Sequence, residues 1–186
     1  MSPTATRTAS GRSLDLLKPD PRDIDIRDIA HHLSQINRYG GASCFPVNVA
    51  QHSVLALRIA AEILHQPHAT QIYTLLHDAH EAWLGDITSP AAVAIDGPYG
   101  GAIDGIKTTL DSAVMRRFGL SPPDADTRAC VDKADRMAFA TEWRDTMHGP
   151  CPAADEPAPW HVEFEHFSAS EGRFMEAFQF LLMVGA

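Results

Sequence analysis

The sequence predicts an all-α fold, a single-domain helical bundle, from three observations. Apolar residues recur at spacings of three and four along most of the 186 residues, whereas alternating strand patterns are nearly absent. Hydrophobic residues make up 45% of the chain, which at this length is enough for one sizeable core. Residues that favour helix starts precede several of the periodic segments. We therefore assign residues 1–186 to one domain and expect 1–9 to be flexible.

The apolar periodicity places the individual helices. Asn48 and Asp124 are expected N-caps, and Ser168 with Glu171 suggests a capping box. Gly85 is expected to end the third helix in a left-handed conformation. Four prolines between 148 and 160 predict a loop over 148–167, and the opening segment 13–26 is expected to be extended. The predicted helices span 27–37, 48–64, 69–84, 101–118, 124–146 and 168–184.

Composition and charge exclude several classes of partner. The net charge is -9, from 15 basic and 24 acidic residues, which argues against broad docking on nucleic acid or an anionic membrane. Three cysteines without a CxxC pair suit a reducing compartment. We see no signal peptide and no apolar run near the ~18 residues of a membrane span. We expect a cytoplasmic protein whose partner is a small molecule.

Helical wheels place ionisable side chains on the apolar, inward face of two helices and on the side opposite the apolar residues of a third, which could also face water. On the second predicted helix, His52 lies within an apolar stripe that should face the core. On the fifth, Asp135 and Glu142 share the side of the apolar residues. Inward-facing imidazoles and carboxylates need a partner or a metal, so these helices could direct their side chains at one point. On the third predicted helix, one arc of about 100° holds Thr74, His77, Asp78 and Glu81.

Each of these residues also has a simpler explanation when taken alone. His52 could be a hydrogen-bonded core histidine, the His77–Asp78 dipeptide is frequent, and Asp135 could pair with a neighbouring arginine. Together, two imidazoles and two carboxylates make a ligand set for a divalent metal, with Glu81 left to handle a proton.

The order of these residues resembles the HD-domain metal-dependent phosphohydrolases. The resemblance rests on His52, then His77–Asp78 after 25 residues, then Asp135 after 57, with Glu81 at the fourth position after His77. Further segments are similar to signatures of the compact nucleotidase branch, which includes bacterial 5′-deoxynucleotidases and phage-type deoxynucleoside triphosphate triphosphohydrolases. These segments are SGRSLDLLKPDP, DIAHHLSQINRYGG, VAQHSVLAL, LLHDAHEAWLGDI, MRRFGL and VDKADRMAFATEWRD.

This resemblance implies a helical bundle with a metal site at its centre, and one divalent metal ion as cofactor. The implied metal ligands are His52, His77, Asp78 and Asp135. Four ligands of mixed nitrogen and oxygen type suit Mn²⁺, Co²⁺, Fe²⁺ or Mg²⁺ better than a closed Zn²⁺ site.

The resemblance also implies two proton-handling carboxylates. Glu81 would orient or deprotonate the attacking water. Asp86 would protonate the leaving oxygen or hold the sugar, and capping of the loop after Gly85 is an equally good explanation for it. His80 turns toward the apolar side of its predicted helix, so we expect it to be packed and hydrogen-bonded.

Arg38 and Tyr39 match a phosphate-binding arginine followed by an aromatic residue in that family. The ring could stack on a base or crowd a ribose 2′ oxygen, whereas the simpler alternative is a surface arginine and a half-buried tyrosine. Relatives that act on triphosphates carry a lysine where this chain has Ala92, and Lys107 could take its place. We expect Phe139 and Trp143 to be core residues.

The expected activity is hydrolysis of the 5′ phosphate ester of a (deoxy)nucleotide. Two forms remain open: a nucleotidase releasing a nucleoside, or a dNTP triphosphohydrolase releasing triphosphate. A nucleotide-sensing module should lack Glu81 and Asp86, and a cyclic-dinucleotide phosphodiesterase needs further histidine ligands, for which His80 is the only candidate between Asp78 and Asp135. An alarmone hydrolase resembles a different branch, and a plain bundle with a polar centre would bind no metal. By resemblance, we expect a homo-oligomer.

Overall fold

The computed structural model describes residues 2–185, except for the side chains of 98 and 99; both ends of the predicted domain, at 1 and 186, lie outside it. The described residues form the predicted all-α bundle, with one small hairpin. Its strands are β1 (Ala5–Arg7) and β2 (Ser13–Asp15). Its helices are α1 (Ile26–Gln35), α2 (Val49–Glu62), α3 (His68–Leu76), α4 (Glu81–Leu84), α5 (Ser89–Tyr99), α6 (Ala102–Arg117), α7 (Ala125–Thr146) and α8 (Phe167–Val184).

The N-terminal hairpin is anchored to the bundle. β1 and β2 pair antiparallel, with Thr6 opposite Leu14. Leu14 is fully buried in the main core cluster, so its burial attaches the hairpin to the helices. Residues 5–7, within the segment that we expected to be flexible, therefore form an ordered strand. Part of the predicted extended segment 13–26 is β2, and Pro21–Asp23 forms a short 3₁₀ turn.

The core places α2 among four partner helices. α2 packs against α1, α3, α7 and α8, and α1 also packs against α8. Burying a large apolar side chain contributes about 1.5–3 kcal/mol, so many such residues fix these helices relative to one another. The fully buried apolar side chains include Ile29, Leu33, Val49, Ile59, Leu75, Leu110 and Phe174.

The third predicted helix, 69–84, is wrong as one continuous element. It divides into α3 and α4, with a turn at 77–80. In and after this turn, backbone amides donate to the carbonyl three residues earlier, as in a 3₁₀ helix, and not four residues earlier. Examples are Ala79 N to Leu76 O (3.0 Å) and Glu81 N to Asp78 O (2.9 Å). This 3₁₀-type spacing is tighter than an α-helix, so side chains around the turn do not follow an α-helical wheel.

Two predicted N-caps are present and the third is wrong. Asn48 caps α2 by accepting from Gln51 N at 2.9 Å, and Asp124 caps α7 by accepting from the Thr127 amide at 2.8 Å. The proposed capping box is replaced by His166, the actual N-cap of α8, whose ring accepts from Ser168 N. Glu171 instead contacts the His31 ring, 3.2 Å from its Nδ1.

Gly85 ends α4 with the positive φ that was predicted. Its φ of 80° and ψ of 165° are extended, however, and not left-handed helical. Only glycine adopts such a combination readily, so the residue still explains why the helix stops there.

Helix α5 lies outside the predicted helices. Its sequence contains Pro90 and Gly97, which disfavour a helix, and Gly100 follows it. Pro90 lies in the first turn of α5, where its missing N–H has no helical partner to lose. The predicted loop is present, since residues 147–166 form neither helix nor strand. Within residues 2–185, no helix is both long and apolar enough to cross a membrane.

Candidate metal centre

The bundle brings the four predicted ligands together from three elements. His52 is on the first turn of α2, His77 and Asp78 lie in the turn after α3, and Asp135 is on α7. His52 Nε2 lies 3.0 Å from Asp135 Oδ1 and 3.8 Å from Asp78 Oδ2. His77 Nε2 lies 3.1 Å from Asp78 Oδ2 and 3.7 Å from Asp135 Oδ1. Atoms bound about 2.1 Å from one ion lie roughly 3.0–3.5 Å apart at neighbouring positions. Ligand atoms of His52, His77 and Asp78 all lie within 4.8 Å of one another, close enough to share a cation, and Asp135 adjoins this group through its contacts with both imidazoles.

Both imidazoles are held through Nδ1. His52 Nδ1 donates to Glu142 Oε1 at 2.8 Å, and His77 Nδ1 donates to the backbone oxygen of Thr74 at 2.7 Å. Because these partners only accept, each Nδ1 carries the proton and each Nε2 is directed at the centre. His77 Nε2 is buried and has no hydrogen-bond partner among residues 2–185. A buried nitrogen left in this state fits a metal ligand.

The centre holds opposite charges in a buried place. Burial opposes a positive charge on His52, but Glu142 and Asp135 outweigh it and raise the pKa of the imidazole. Burial likewise opposes charge on His77, yet Asp78 and Asp135 raise its pKa well above the ordinary value. Against burial, the imidazoles lower the pKa of Asp78 and of Asp135. A bound cation would replace the protons that the raised pKa values place on the two imidazoles, and it would neutralise the same carboxylates.

The two proton-handling candidates differ in their surroundings. Glu81 is 5% exposed, and burial, then the charges of Asp78 and Asp86, raise its pKa to about 8. Its Oε2 has no hydrogen-bond partner in the described chain. The pKa of Asp86 is also raised, first by burial and then by Asp78 against the effect of Arg38. Asp86 Oδ2 accepts from Tyr39 N at 3.1 Å, so it ties together distant segments rather than capping the loop after Gly85.

Arg38 and Tyr39 are joined by a carboxylate to which sequence reasoning gave no role. Arg38 Nε donates to Glu142 Oε2 at 3.0 Å, and Tyr39 Oη donates to the same oxygen at 2.5 Å. Arg38 is only 9% exposed, so the surface-arginine alternative is wrong. Glu142 is fully buried; its inward position on α7 was visible in the helical wheel, but its partners were not.

A cavity of about 1000 Å³ opens beside the centre. Its wall includes Asp135, whose side chain is 41% exposed, so one predicted ligand faces the cavity directly. Phe139 and Trp143, which we expected in the core, line it instead, with ring centroids 5.4 Å apart. Lys107 lies on α6, half-buried, and is not among the described lining residues. Arg38, Tyr39 and Asp86 are the other predicted site residues in the wall.

His80 is buried and hydrogen-bonded, as expected, with Nδ1 2.9 Å from Asp111 Oδ1. The tight turn nevertheless places a ring nitrogen of His80 within 4.8 Å of carboxylate oxygens of Asp78 and Glu81. The helical wheel had separated it from them.

The fold and site define a helical-bundle protein with a buried histidine–aspartate centre that opens onto an aromatic-lined cavity. An uncharacterized protein of Rhodobacter capsulatus is 40% identical over 142 residues, covering 73% of this chain and 69% of its own. The uncharacterized protein YfdR of Escherichia coli K12 is 32% identical over 139 residues, covering 75% and 70%. The chain belongs to the family that these two proteins represent.

Among solved structures, the cyanophage S-2L HD phosphohydrolase DatZ, bound to dA and one catalytic Zn²⁺ ion, covers 83% of both chains with 18% identity and a TM-score of 0.48. No protein-family model matches the sequence.

Proposed function

We propose that this protein is an HD-type, divalent-metal-dependent phosphohydrolase that cleaves the 5′ phosphate ester of a deoxynucleoside monophosphate. One observation carries the proposal: ligand atoms of His52, His77 and Asp78 cluster together, and Asp135 joins them to a cavity whose wall also holds Arg38. The order of these ligands along the chain is that of the HD pattern.

The residues around the centre divide the chemistry. His52, His77, Asp78 and Asp135 would hold a divalent ion, which activates water and withdraws charge from phosphoryl oxygens. Glu81, whose pKa burial raises to about 8, would in its ionised form take the proton of the attacking water. Asp86, in the cavity wall, gives a proton to the leaving 5′ oxygen. Mixed imidazole and carboxylate donors with an open side suit Mn²⁺, Co²⁺, Fe²⁺ or Mg²⁺.

The cavity wall favours a nucleoside monophosphate. Arg38 Nη1 lies 3.6 Å from Asp78 Oδ2, which puts the guanidinium within reach of a phosphate at the centre. Arg136 is the other cation among the described lining residues, and its Nε is paired with Asp155 at 2.8 Å. A triphosphate would need more positive charge than this wall supplies.

An aromatic group in the wall suits a nucleobase. The Tyr39 ring lies 5.9 Å from Phe139 and 6.1 Å from Trp143, measured between centroids. Trp143 Nε1 donates to Gly149 O at 3.1 Å, so the loop after α7 holds this ring in place. Such rings offer a flat apolar face on which a base can stack.

A substrate screen tests the proposal. Chelator-stripped protein is reloaded separately with Mn²⁺, Co²⁺, Fe²⁺, Mg²⁺ or Zn²⁺ and given all deoxy- and ribonucleoside 5′-mono- and triphosphates. We expect inorganic phosphate and nucleoside from deoxynucleoside monophosphates. Release of triphosphate would instead identify a triphosphohydrolase, and binding without turnover would identify a sensing module.

Two matched variants on α7 separate metal binding from a general effect of lost charge. Asp135→Asn should remove both bound metal and activity, because Asp135 Oδ1 is one of the converging ligand atoms. Asp132→Asn makes the same change at an exposed position one turn earlier on the helix and should leave both unchanged. If Asp132→Asn were the variant that lost metal, the proposed ligand set would be wrong.

A further inference from the structure

Glu142 joins the predicted metal ligand to the predicted substrate contacts. Its carboxylate is fully buried on α7 and accepts from three side chains. Oε1 accepts from His52 Nδ1 at 2.8 Å, whereas Oε2 accepts from Arg38 Nε at 3.0 Å and from Tyr39 Oη at 2.5 Å. One oxygen therefore holds a predicted metal ligand, His52, and the other holds the predicted substrate contacts, Arg38 and Tyr39.

This arrangement is rigid. A buried carboxylate is unfavourable unless charge-assisted hydrogen bonds replace its water, and the three donors do so here. The two oxygens belong to one planar group, so a shift that improves the bonds of one moves the other. The helix on both sides of Glu142 is tightly packed: Thr141 is fully buried, and Thr146 Oγ1 donates to the Glu142 backbone oxygen at 2.8 Å.

We propose that Glu142 is a positioning residue that couples cation binding at His52 to nucleotide binding at Arg38 and Tyr39. This inference rests on the proposed function. The carboxylate holds His52 so that Nε2 points at the cation and increases its basicity. It also holds the Arg38 guanidinium and the Tyr39 ring at the cavity wall. Because coupling between two binding sites is reciprocal, order imposed on one side favours binding at the other.

The test is Glu142→Gln, which keeps the shape but has one acceptor oxygen and no charge. Glutamine cannot accept hydrogen bonds both from His52 and from Arg38 and Tyr39. Two titrations without turnover come first: Mn²⁺ into metal-free protein, and deoxyadenosine 5′-monophosphate into metal-free protein. We expect Mn²⁺ affinity to fall about 10- to 100-fold, and nucleotide affinity to fall about 10-fold, as for loss of one charge-assisted contact.

Kinetics supply a readout that a purely structural role would not move. At saturating Mn²⁺, kcat of Glu142→Gln should recover most of the wild-type value, because excess metal offsets the weakened site. KM should stay raised, since metal does not restore the bonds of Arg38 and Tyr39. General unfolding of the site would lower kcat at every Mn²⁺ concentration.

Asp145→Asn is the matched control. Asp145 is also a carboxylate on α7, but it accepts from Arg144 and from the Val162 amide at 2.8 Å, away from the metal side. We expect wild-type affinities for Mn²⁺ and nucleotide. Thermal unfolding is measured for every variant, and Glu142→Asp, with a shorter carboxylate, replaces Glu142→Gln if the latter does not fold.

The outcomes are distinct. Unchanged Mn²⁺ and nucleotide affinities in the Glu142 variant, or a change in only one of them, would overturn the coupling. Wild-type protein that binds Mn²⁺ and nucleotide but hydrolyses nothing would overturn the proposed function alone, because the two titrations would still report on Glu142.

Discussion

At the scale of single residues, burial gives Glu81 an unusual acidity. Its pKa is raised to about 8, so the folded, metal-free protein holds a proton that the unfolded chain releases above about pH 4.5. Raising the pH from 4.5 to 8 therefore favours unfolding. The free energy of unfolding that Glu81 contributes is fully present below pH 4.5 and is lost as the pH rises to about 8.

Glu81→Gln should remove this pH dependence. In chelator-treated protein, the free energy of unfolding should fall less steeply between about pH 5 and pH 8 in the variant than in wild type. His52 and His77 also have raised pKa values and contribute a slope of the same sign in both proteins. The difference between the two urea-unfolding series thus isolates Glu81, and parallel series would show that its carboxyl group is not protonated in the fold.

The same substitution tests the proposed catalytic role. Glutamine cannot take a proton from water, so kcat should fall about 10²- to 10⁴-fold. Mn²⁺ should remain bound, because Glu81 is not one of the four predicted ligands. Metal content and kcat are measured on the same sample. Full turnover by Glu81→Gln would exclude this residue as the base.

Tyr39 combines a strained backbone with a position in the cavity wall. Its φ is 60°, which is uncommon for a residue other than glycine, and the Tyr39 amide is held by Asp86. Tyr39→Ala should relax discrimination between deoxyribose and ribose about 10-fold or more, since the ring no longer crowds the 2′ oxygen. Tyr39→Phe keeps the ring and should keep the ratio of the two kcat/KM values; an unchanged ratio in Tyr39→Ala would remove the ring from sugar selection.

Sequence reasoning could find most of these residues but not their pairings. His52 and Asp135 were placed inward because each lies on an apolar stripe, and that periodicity is local information. Glu142 was placed inward for the same reason. Its bonds to Arg38 and Tyr39 cross more than a hundred residues of chain, and no local pattern encodes them.

At the scale of elements, helices were predicted well where the period was regular. α2 and α7 begin within a residue of their predicted starts because their caps are local signals. The turn at 77–80 was missed because no glycine or proline marks it. Side-chain bonds hold it instead: locally, His77 Nδ1 donates to Thr74 O, and across the fold, His80 is tied to Asp111 on α6. That turn is what brings Glu81 and His80 near Asp78.

The cap of α2 should matter more than an ordinary helix cap. Asn48 is 3% exposed; its Oδ1 accepts from Gln51 N, and its Nδ2 donates to the buried Ser170 Oγ at 2.9 Å. Asn48→Ala removes both bonds and should lower the free energy of unfolding by about 2 kcal/mol. His52 lies on the first turn after this cap, so Mn²⁺ affinity should fall as well.

Asp124→Ala provides the comparison for Asn48→Ala. Asp124 caps α7 at an exposed position, and among residues 2–185 its side chain has no buried side-chain partner of this kind. Asp124→Ala should lower the free energy of unfolding by about 1 kcal/mol and leave Mn²⁺ affinity unchanged. Equal losses in urea unfolding for both variants would show that the bond to Ser170 contributes nothing.

At the scale of the whole molecule, the chain has a net charge of -9, and carboxylates and imidazoles from separate elements meet at one partly buried centre. A ligand that binds only the folded state stabilises it by about 2.7 kcal/mol at one hundred times its Kd. A bound cation should therefore stabilise the entire bundle, because its ligands come from α2, the turn after α3, and α7.

This stabilisation should depend on pH in a defined direction. Neighbouring carboxylates raise the pKa of His52 and of His77, so in the metal-free protein each Nε2 competes for a proton at neutral pH. Mn²⁺ must displace those protons, so its affinity should rise as the pH increases through and above the ordinary imidazole pKa of about 6.5. The Mn²⁺-induced rise in Tm, about 5–10 °C near saturation for a chain of this size, should therefore be reached at lower metal concentration as the pH increases. Asp135→Asn should show no such rise at any pH, while Asp132→Asn should follow wild type; a pH-independent Mn²⁺ requirement would mean that the two imidazoles are not the groups the cation displaces.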